Sequence, residues 1–230
     1  MKTRIVIPAR LKSSRFPNKL IQKINKITLI EHVCRRAKKL QYDSLVVATD
    51  SIEIKNIVEE LNIEVWFSRK IFSNGTERIA QLSHDLKYDM NDIIINIQAD
   101  EFNFTLSGVK KIIDYLKSKK SEGVATLIYK NNSNVDFNNC NHVKVVINSE
   151  DNALYFSRAM IPFNASLNYY SHIGIYGYKN KTLKRYKTLS KSKNEINEKL
   201  EQLRFLWNNI SIKCLHVKSN NSVSINTLND

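Results

Sequence analysis

The chain has 230 residues, of which 42% are hydrophobic and 25% are charged, a composition typical of a soluble globular protein with a sizeable core. Its formal net charge of +14 indicates an attraction for anions, including phosphates. No apolar run in the sequence approaches the roughly 20 residues that cross a bilayer, and no signal peptide is recognisable, which excludes a membrane-spanning protein and predicts a cytoplasmic one.

Strand and helix patterns alternate through the first half of the chain. Predicted strands are residues 4–7, 44–49, 64–68 and 92–100, and predicted helices are residues 28–40, 52–61 and 76–87. The fourth strand, "DIIINIQAD", has a continuous apolar run, which predicts burial on both faces. This β-α-β order indicates a parallel sheet wrapped by helices.

Strands follow one another more closely in the second half. They are predicted at residues 123–129, 143–148, 153–157, 173–178 and 210–217, with a helical region around 194–207. The turn "SEDN" joins the second and third of these strands. We therefore expect one mixed α/β domain, with a mostly parallel sheet between two layers of helices and a smaller hairpin-rich lobe.

The cysteines and lysines limit the other kinds of site. Cys34, Cys140 and Cys214 are far apart and in no metal-ligand spacing, so we expect buried or half-buried thiols rather than disulfides or a zinc site. The lysine-rich stretches "KKIIDYLKSKK" and "KNKTLKRYKTLSKSK" predict solvated helix faces. The positive charge is compatible with a nucleic-acid or membrane partner, but the excess of Lys over Arg with abundant Asn and Ile favours compositional drift and neither partner.

Ligands of open parallel sheets bind outside the carboxyl ends of the strands. The loops at residues 8–19, 69–78 and 98–104 follow predicted strands there. In the first, "PARLKSSRFPNKL", Arg10, Arg15 and Lys19 have no acidic residue among them. They supply the charge-assisted donors that a triphosphate needs, although a solvated basic loop is the alternative because no Walker glycines are present.

The second loop contains "NGT" directly before a predicted helix. Gly75 allows close approach of a ligand to the backbone, and the helix that begins after Asn74 offers free N–H groups. A plain helix cap is the alternative explanation of this pattern.

The third loop has two adjacent carboxylates. Asp100 and Glu101 end a strand that is predicted to be buried, where such a pair is costly unless it meets a cation. A Mg²⁺ ion that bridges to a phosphate satisfies this requirement, and Gln98 lies on the same face as Asp100, where it can hydrogen-bond a sugar hydroxyl. Together with the basic first loop, these residues indicate a metal-nucleotide site.

A whole-chain resemblance makes this interpretation specific. The segments "IPARLKSSRFPNKL", "VVATD", "NGTERIA", "NIQADE", "GVATL", "VKVV", "ALYFSRAMIPF", "HIGIYGY" and "LEQLRFLW" resemble, in order and spacing, the 3-deoxy-D-manno-octulosonate cytidylyltransferases, or CMP-Kdo synthetases. Sialic-acid cytidylyltransferases are related but normally have a glycine-rich "ARGGSK" first loop. The resemblance implies a Rossmann-like fold of the nucleotide-diphospho-sugar transferase type.

The resemblance also implies a reaction and its residues. The anomeric hydroxyl of an acidic 2-keto-3-deoxy sugar attacks the α-phosphate of CTP, which releases pyrophosphate. The implied catalytic residues are Arg15, Lys19 and Asp100, and the implied nucleotide-binding residues are Ala9, Arg10, Asn74, Gly75, Arg78 and Gln98. Asp100 matches the family's Mg²⁺ ligand.

The implied sugar-binding residues lie in the second half of the chain. They are Arg158, His172, Glu201 and Gln202. Arg158 is suited to a bidentate pair with the sugar's carboxylate. The alternatives are an amphipathic helix that exposes Glu201 and Arg204, and a His172 that is merely a satisfied polar residue.

Three departures from the family pattern are visible. Asn226 stands where the family's "GVDTPEDL" motif has a second carboxylate for the metal, Ala99 and Phe102 replace the Gly and Pro of "QGDEP", and the segment between Pro162 and His172 is short. The sequence therefore leaves three interpretations: a working cytidylyltransferase, a weakened paralogue that binds CTP or sugar without efficient turnover, and a basic nucleic-acid-binding protein on the same fold.

The resemblance further implies how the chain is organised and used. One domain over residues 1–230 is expected to comprise a nucleotide-binding half (1–130), a sugar-binding and dimerisation lobe (131–190), and a C-terminal helix and strand (191–230). A homodimer that serves lipopolysaccharide or capsule synthesis in the cytoplasm is expected.

Overall fold

The computed structural model describes residues 1–11, 17–118, 121–165, 168–218 and 223–224. The strands are β1 (Thr3–Ala9), β2 (Lys23–Ile24), β3 (Ile27–Thr28), β4 (Ser44–Thr49), β5 (Glu64–Phe67), β6 (Ile93–Ile97), β7 (Glu101–Phe102), β8 (Val124–Asn131), β9 (Lys144–Ile147), β10 (Ala153–Ser157), β11 (Tyr169–Lys179), β12 (Lys213–Val217) and β13 (Val223–Ser224). The α-helices are α1 (Leu29–Ala37), α2 (Ile52–Glu60), α3 (Gly75–Asp85), α4 (Leu106–Lys117), α5 (Asn134–Asn138), α6 (Asn180–Arg185), α7 (Lys193–Glu198) and α8 (Leu203–Trp207). Short 3-10 helices cover Lys19–Ile21 and Tyr186–Thr188.

The central sheet has the order β5-β4-β1-β6-β11-β8-β12. β5, β4, β1 and β6 are parallel neighbours, and β12 is parallel to β8. β11 is antiparallel to the strands on either side of it in this order, β6 and β8. The predicted mixed, mostly parallel sheet is confirmed.

Alternation along the strands places side chains in two cores. Ile5 and Ile7 of β1 belong to the core that contains α1, α2 and α4, whereas Val6 belongs to the core that contains α3 and α8. The side chains of a strand point alternately to its two faces, so both faces of the sheet are covered by helices. In β6 all five residues are buried, as its continuous apolar run predicts.

Side-chain caps determine where the helices begin. Thr28 accepts the Glu31 N–H while the Glu31 carboxylate accepts the Thr28 N–H, which forms a capping box at α1. Ser51 and Asn74 are the N-caps of α2 and α3, where their side chains accept the N–H groups of Ile54 and Glu77. The predicted first half is confirmed in order and type, with α1 ending at Ala37 rather than residue 40.

The smaller lobe is a hairpin added to the long strand β11. β9 and β10 pair antiparallel, and Asn148 Oδ1 accepts the N–H groups of Glu150 and Asn152 in the turn between them. The amino-terminal half of β11 pairs with β9 at Tyr170 and Ser171, while its other half pairs with β6. The predicted hairpin at "SEDN" is therefore confirmed.

Expectations about the second half have mixed outcomes. The helical region predicted around residues 194–207 is confirmed, and it consists of two short helices because Lys199 adopts a left-handed conformation (φ 53°) that ends α7. The lysine-rich stretch after β11 is not only a solvated face, since Leu183 and Tyr186 are fully buried in it. Cys34 and Cys214 are buried as expected, but Cys140 is exposed.

Parallel strand ends place the predicted loops at one edge of the sheet. A Cβ atom at Gly75 would lie 3.5 Å from Pro8 Cγ and 3.6 Å from Gln98 Nε2, so the loops after β1, β5 and β6 meet there. Across the described ranges, none of the helices combines the length and apolar character that a membrane span requires.

Candidate active site

Lys19 and Asp100 form an ion pair between the first and third loops. Lys19 begins the 3-10 helix that follows the first loop, and Asp100 lies three residues after the end of β6. The expectation that the basic loop has no counter-charge is therefore wrong for Lys19, because the fold brings a carboxylate to it from a distant part of the chain. Arg10 is exposed, and Arg15 lies outside the described residues.

The two adjacent carboxylates of the third loop have different surroundings. The Asp100 side chain is 26% exposed, whereas Glu101 is buried. Glu101 belongs to β7, which pairs with β13 opposite Ser224. Of the two, Asp100 is therefore the partly exposed carboxylate that a cation can reach at the loop edge.

The residues at this edge fit a magnesium ion bound together with a phosphate. Mg²⁺ keeps several waters and is commonly held by one or two carboxylates and substrate phosphates. Asp100 supplies one such carboxylate, and the described part of the chain has no cluster of three or more His, Cys, Asp or Glu that could hold a metal by itself. Asn226 lies outside the described residues, two positions beyond β13.

The second loop is a capped helix start. Asn74 Oδ1 accepts the Glu77 N–H at 2.8 Å, and the Glu201 carboxylate accepts the Thr76 N–H at 3.3 Å and the Thr76 hydroxyl at 3.0 Å. The expectation of free N–H groups is wrong at Thr76 and Glu77, where protein oxygens already occupy them. The plain cap is the observed role of the Asn74 side-chain oxygen, and a Cβ atom at Gly75 would lie against Gln98.

Arg78 is a buried cation with one unpartnered group. Its Nη2 donates to Asp50 Oδ2 at 2.8 Å, and its guanidinium carbon lies 5.4 Å from the centroid of the Phe72 ring. Nη1 is buried and has no hydrogen-bond partner within the described segments. Because an unsatisfied buried donor is costly, this atom is suited to an acceptor on a ligand.

Ala9 is the last residue of β1, and Gln98 directly follows β6. Gln98 is half-buried, and its Nε2 lies 3.4 Å from Asn96 Oδ1, a long hydrogen bond. Ala9 is only 1% exposed, so it lies beneath the surface of this edge.

Glu201 and Gln202 approach the second loop from the C-terminal segment. Burial raises the pKa of Glu201 above its ordinary value, although the hydrogen bonds from Thr76 lower it. Gln202 is buried, and its Nε2 has no partner among the residues that the structure describes. Gln202 is therefore a second buried donor that a ligand could satisfy.

Arg204, two residues further on, is a functional candidate that the sequence did not single out. It is only 2% exposed and donates to both Glu195 and Glu77, so the alternative of an exposed face at Glu201 and Arg204 is wrong. Glu77 lies 127 positions away, which no local pattern reveals. The one local sign of a buried role for Arg204 is Glu195, the acidic residue nine positions earlier.

Arg158 lies at the end of β10, held by main-chain oxygens. Its Nε donates to the Glu198 carbonyl at 2.8 Å and its Nη1 to the Cys140 carbonyl at 3.0 Å. The buried Lys144 ammonium donates to three carbonyls, including that of Arg158 at 2.9 Å. The guanidinium thus has a defined position in the lobe.

His172 matches the alternative of a satisfied polar residue. Its Nε2 lies 3.1 Å from Thr126 Oγ1, and its ring contacts those of Phe156 and Tyr176. Thr126 Oγ1 donates to the Ile175 carbonyl, so Nε2 is the donor to Thr126. Burial lowers the pKa of His172 to about 3, which makes the ring neutral at physiological pH.

The predicted residues therefore form two groups. Lys19 pairs with Asp100, Gln98 lies beside the position that a Cβ atom of Gly75 would take, and the Glu201 side chain reaches the same loop at Thr76. Arg158 contacts the carbonyls of Cys140 and of Glu198 at the end of α7, and His172 contacts Thr126 of β8.

Comparison with known proteins decides the family. The family model described as cytidylyltransferase matches residues 4–212 of the chain. The chain belongs to the cytidylyltransferase family. The resemblance drawn from its motifs is thereby confirmed at the level of the family, and with it the expectation of a nucleotidyltransferase.

Curated relatives of this cytidylyltransferase are similar over nearly its whole length. A 3-deoxy-manno-octulosonate cytidylyltransferase of Francisella tularensis subsp. holarctica is 37% identical over 98% of the chain and 94% of its own length. The protein of the same description from a Nitratiruptor species is 39% identical over 98% of the chain and 95% of its own length.

Solved structures agree with the fold of this cytidylyltransferase. A CMP:2-keto-3-deoxy-manno-octonic acid synthetase complexed with CTP has a TM-score of 0.89 and 33% identity, covering 99% of the chain and 94% of that structure. The inositol-1-phosphate CTP transferase from T. maritima has a TM-score of 0.69 at 13% identity, covering 100% of the chain and 91% of its own, and shows the fold alone.

Proposed function

We propose that this protein transfers the cytidylyl group of CTP to the anomeric hydroxyl of a 2-keto-3-deoxy sugar acid, 3-deoxy-D-manno-octulosonate or a close analogue. A bond forms between the anomeric oxygen and the α-phosphorus, and the bond from the α-phosphorus to the β-phosphate oxygen breaks. Pyrophosphate leaves, and the hydroxyl proton is released to solvent. The observation that carries the proposal is the meeting of Lys19 and Asp100 at the carboxyl edge of the sheet in a member of this family.

The basic first loop would hold the triphosphate. Lys19, together with Arg10 and Arg15, supplies positive charge where negative charge grows on the departing pyrophosphate. In the nucleotide complex the Lys19 ammonium exchanges its carboxylate partner for phosphate oxygens. This exchange leaves the Asp100 carboxylate available to a cation.

Magnesium is part of the proposal. Asp100 would hold the ion, which would neutralise phosphate charge and polarise the α-phosphorus when bound. Asn226 would contribute a neutral oxygen at most, so we expect weaker metal binding than a second carboxylate would give.

The cytidine would lie between the second loop and the end of β6. Gly75 has no side chain to exclude the nucleoside from Gln98, and the unpartnered Arg78 Nη1 can donate to an acceptor on the base. Asp50 fixes the orientation of that guanidinium through Nη2.

The sugar acid would lie toward the lobe. Arg158 provides a positioned guanidinium for the sugar's carboxylate, and the unpartnered Gln202 Nε2 provides a donor for a sugar hydroxyl. Glu201 and His172 would line this side as acceptor and neutral imidazole.

We also propose the setting in which the enzyme works. It would act in the cytoplasm as a homodimer, and its product would supply lipopolysaccharide or capsule synthesis. Residues 131–190 would form the lobe that binds the sugar and the second subunit. Light scattering of the purified protein at several concentrations tests the dimer.

Pyrophosphate release tests the proposed reaction. The purified protein is mixed with each nucleoside triphosphate, with a panel of octulosonic and nonulosonic acids, and with or without Mg²⁺. We expect release only when CTP, a 2-keto-3-deoxy sugar acid and Mg²⁺ are present together. No release of pyrophosphate with any acid would contradict the proposal. In that case, thermal stabilisation by CTP without product would indicate a weakened paralogue. Salt-sensitive retention of DNA or RNA would indicate a nucleic-acid-binding protein.

A further inference from the structure

Arg204 is a fully buried arginine with a complete set of partners. Its Nε and Nη2 donate to the two carboxylate oxygens of Glu195 at 2.9 and 2.6 Å, and its Nη1 donates to Glu77 Oε1 at 3.0 Å. The guanidinium carbon also lies 4.2 Å from the centroid of the Tyr186 ring. A buried charge is tolerated only when such partners satisfy it, so its geometry is strongly determined.

The two carboxylates belong to different elements. Glu77 lies in the first turn of α3, directly after Thr76, and Glu195 lies in the first turn of α7, where its N–H donates to Ser192. Arg204 itself is on α8. One side chain therefore joins the C-terminal helices to the helix start that carries the nucleotide loop.

A second set of contacts runs beside the first. The Tyr186 hydroxyl donates to the Glu201 carbonyl at 3.0 Å and accepts from Asn74 Nδ2 at 3.2 Å. The Glu201 carboxylate accepts from the Thr76 amide and hydroxyl. Residues 201–204 are thus connected to Asn74, Thr76 and Glu77 by side chains throughout.

We propose that Arg204 is a positioning residue that fixes the sugar-facing pair Glu201 and Gln202 relative to the nucleotide loop at Asn74 and Gly75, by holding Glu77 and Glu195 at once. The inference rests on the proposed function, because it assigns those two segments to the two substrates. Arg204 contacts neither substrate and acts through Glu77 and Glu195.

This role predicts a kinetic effect that loss of stability alone does not produce. A destabilised but correctly arranged enzyme has fewer active molecules, so kcat falls while KM is unchanged. Loosening the contact between α8 and α3 instead lets Gln202 move relative to bound CTP. We expect the KM for the sugar acid to rise about tenfold while kcat changes less than about threefold. A change in KM of about tenfold is within the range of coupling energies between residues of one hydrogen-bonded network.

The experiment compares Glu77→Gln and Arg204→Lys with a matched control. Glu77→Gln keeps an oxygen acceptor but removes the charge, and Arg204→Lys keeps the charge but removes the planar three-way contact. Asp92→Asn is the control, because Asp92 is a buried carboxylate paired with Arg4 at 3.1 Å near the amino ends of β1 and β6, the opposite edge of the sheet. It should lower the melting temperature and leave both KM values unchanged.

Amide hydrogen exchange gives a readout that needs no turnover. The Thr76 N–H donates to Glu201, so both test variants should exchange it at least about fivefold faster than wild type, and Asp92→Asn should not. If wild type makes a CMP-sugar but the variants only lose melting temperature, with unchanged KM and Thr76 exchange, the positioning role is overturned. If wild type makes no CMP-sugar, the proposed function fails, and the exchange rate at Thr76 alone decides whether Arg204 holds the two segments together.

Discussion

The side chains of Lys19 and Asp100 form an ion pair although 81 positions separate them in the chain. Lys19 follows the loop after β1 and Asp100 follows β6, and these two strands are parallel neighbours. At 12% and 26% exposure the two side chains still reach solvent. Such a pair adds only about 0–1 kcal/mol to stability, so its main consequence is to place opposite charges where a metal-bound triphosphate would need them.

Neutral replacement of either partner should therefore reduce activity far more than stability. We expect Lys19→Met and Asp100→Asn each to lower kcat at least about 100-fold, because each removes charge that balances the growing charge on phosphate. The melting temperature should change by only a few degrees. Steady-state pyrophosphate release and thermal unfolding measure the two effects. Lys55→Met, which breaks an exposed pair with Glu59, is the control. Activity within about threefold of wild type in either site variant would contradict this role.

Gln202→Leu should weaken binding of the sugar acid without lowering the stability of the protein. The change removes a buried amide whose nitrogen has no partner in the described residues, which relieves a cost of about 1–3 kcal/mol. We expect an unchanged or higher melting temperature together with a KM for the sugar acid raised about tenfold. Calorimetry and initial rates at saturating CTP test this. A large loss of melting temperature with unchanged KM would show that the amide has a structural partner instead.

His172 should make stability depend on pH on the acidic side of neutrality. Its pKa is lowered from 6.5 to about 3, so the unfolded chain binds a proton that the folded chain does not. The stability from the neutral ring is complete above pH 6.5 and falls by up to about 1.4 kcal/mol per pH unit below it. Urea unfolding of His172→Gln between about pH 7.5 and 4.5 should show a flatter profile than wild type. The exposed His84→Gln is the control, and parallel profiles for wild type and His172→Gln would contradict the prediction.

Glu201 should act on stability in the opposite sense. Its pKa is raised above the ordinary 4.5, so as pH rises the unfolded chain loses the proton first and the folded state is disfavoured. Glu201→Gln cannot ionise but can still accept from Thr76. The melting temperature of this variant relative to wild type should therefore increase from about pH 4 to pH 8. If the difference in melting temperature between Glu201→Gln and wild type stays constant or decreases over that range, the prediction is contradicted. The hydrogen bonds from Thr76 would then stabilise the ionised carboxylate more than burial destabilises it.

The strand and helix pattern could be read from the sequence because it depends on local features. Apolar runs such as "IIINI" fill a sheet core, and caps such as Thr28 begin helices wherever the chain folds. The common edge of the loops followed from the same pattern. Arg204 could not be placed in this way, because helical spacing suggests an exposed arginine and its carboxylate at Glu77 is 127 positions away. The ion pair of Lys19 with Asp100 could not be predicted for the same reason, because 81 positions separate the two residues.

A crystal structure with CTP and Mg²⁺ tests the central claim most directly. We predict the β- and γ-phosphates against the Lys19 ammonium, the metal on the Asp100 carboxylate, and the cytosine between Gly75 and Gln98. Nucleotide bound at another surface would contradict the account. So would a complex in which the Lys19–Asp100 ion pair is intact and the metal is bound elsewhere.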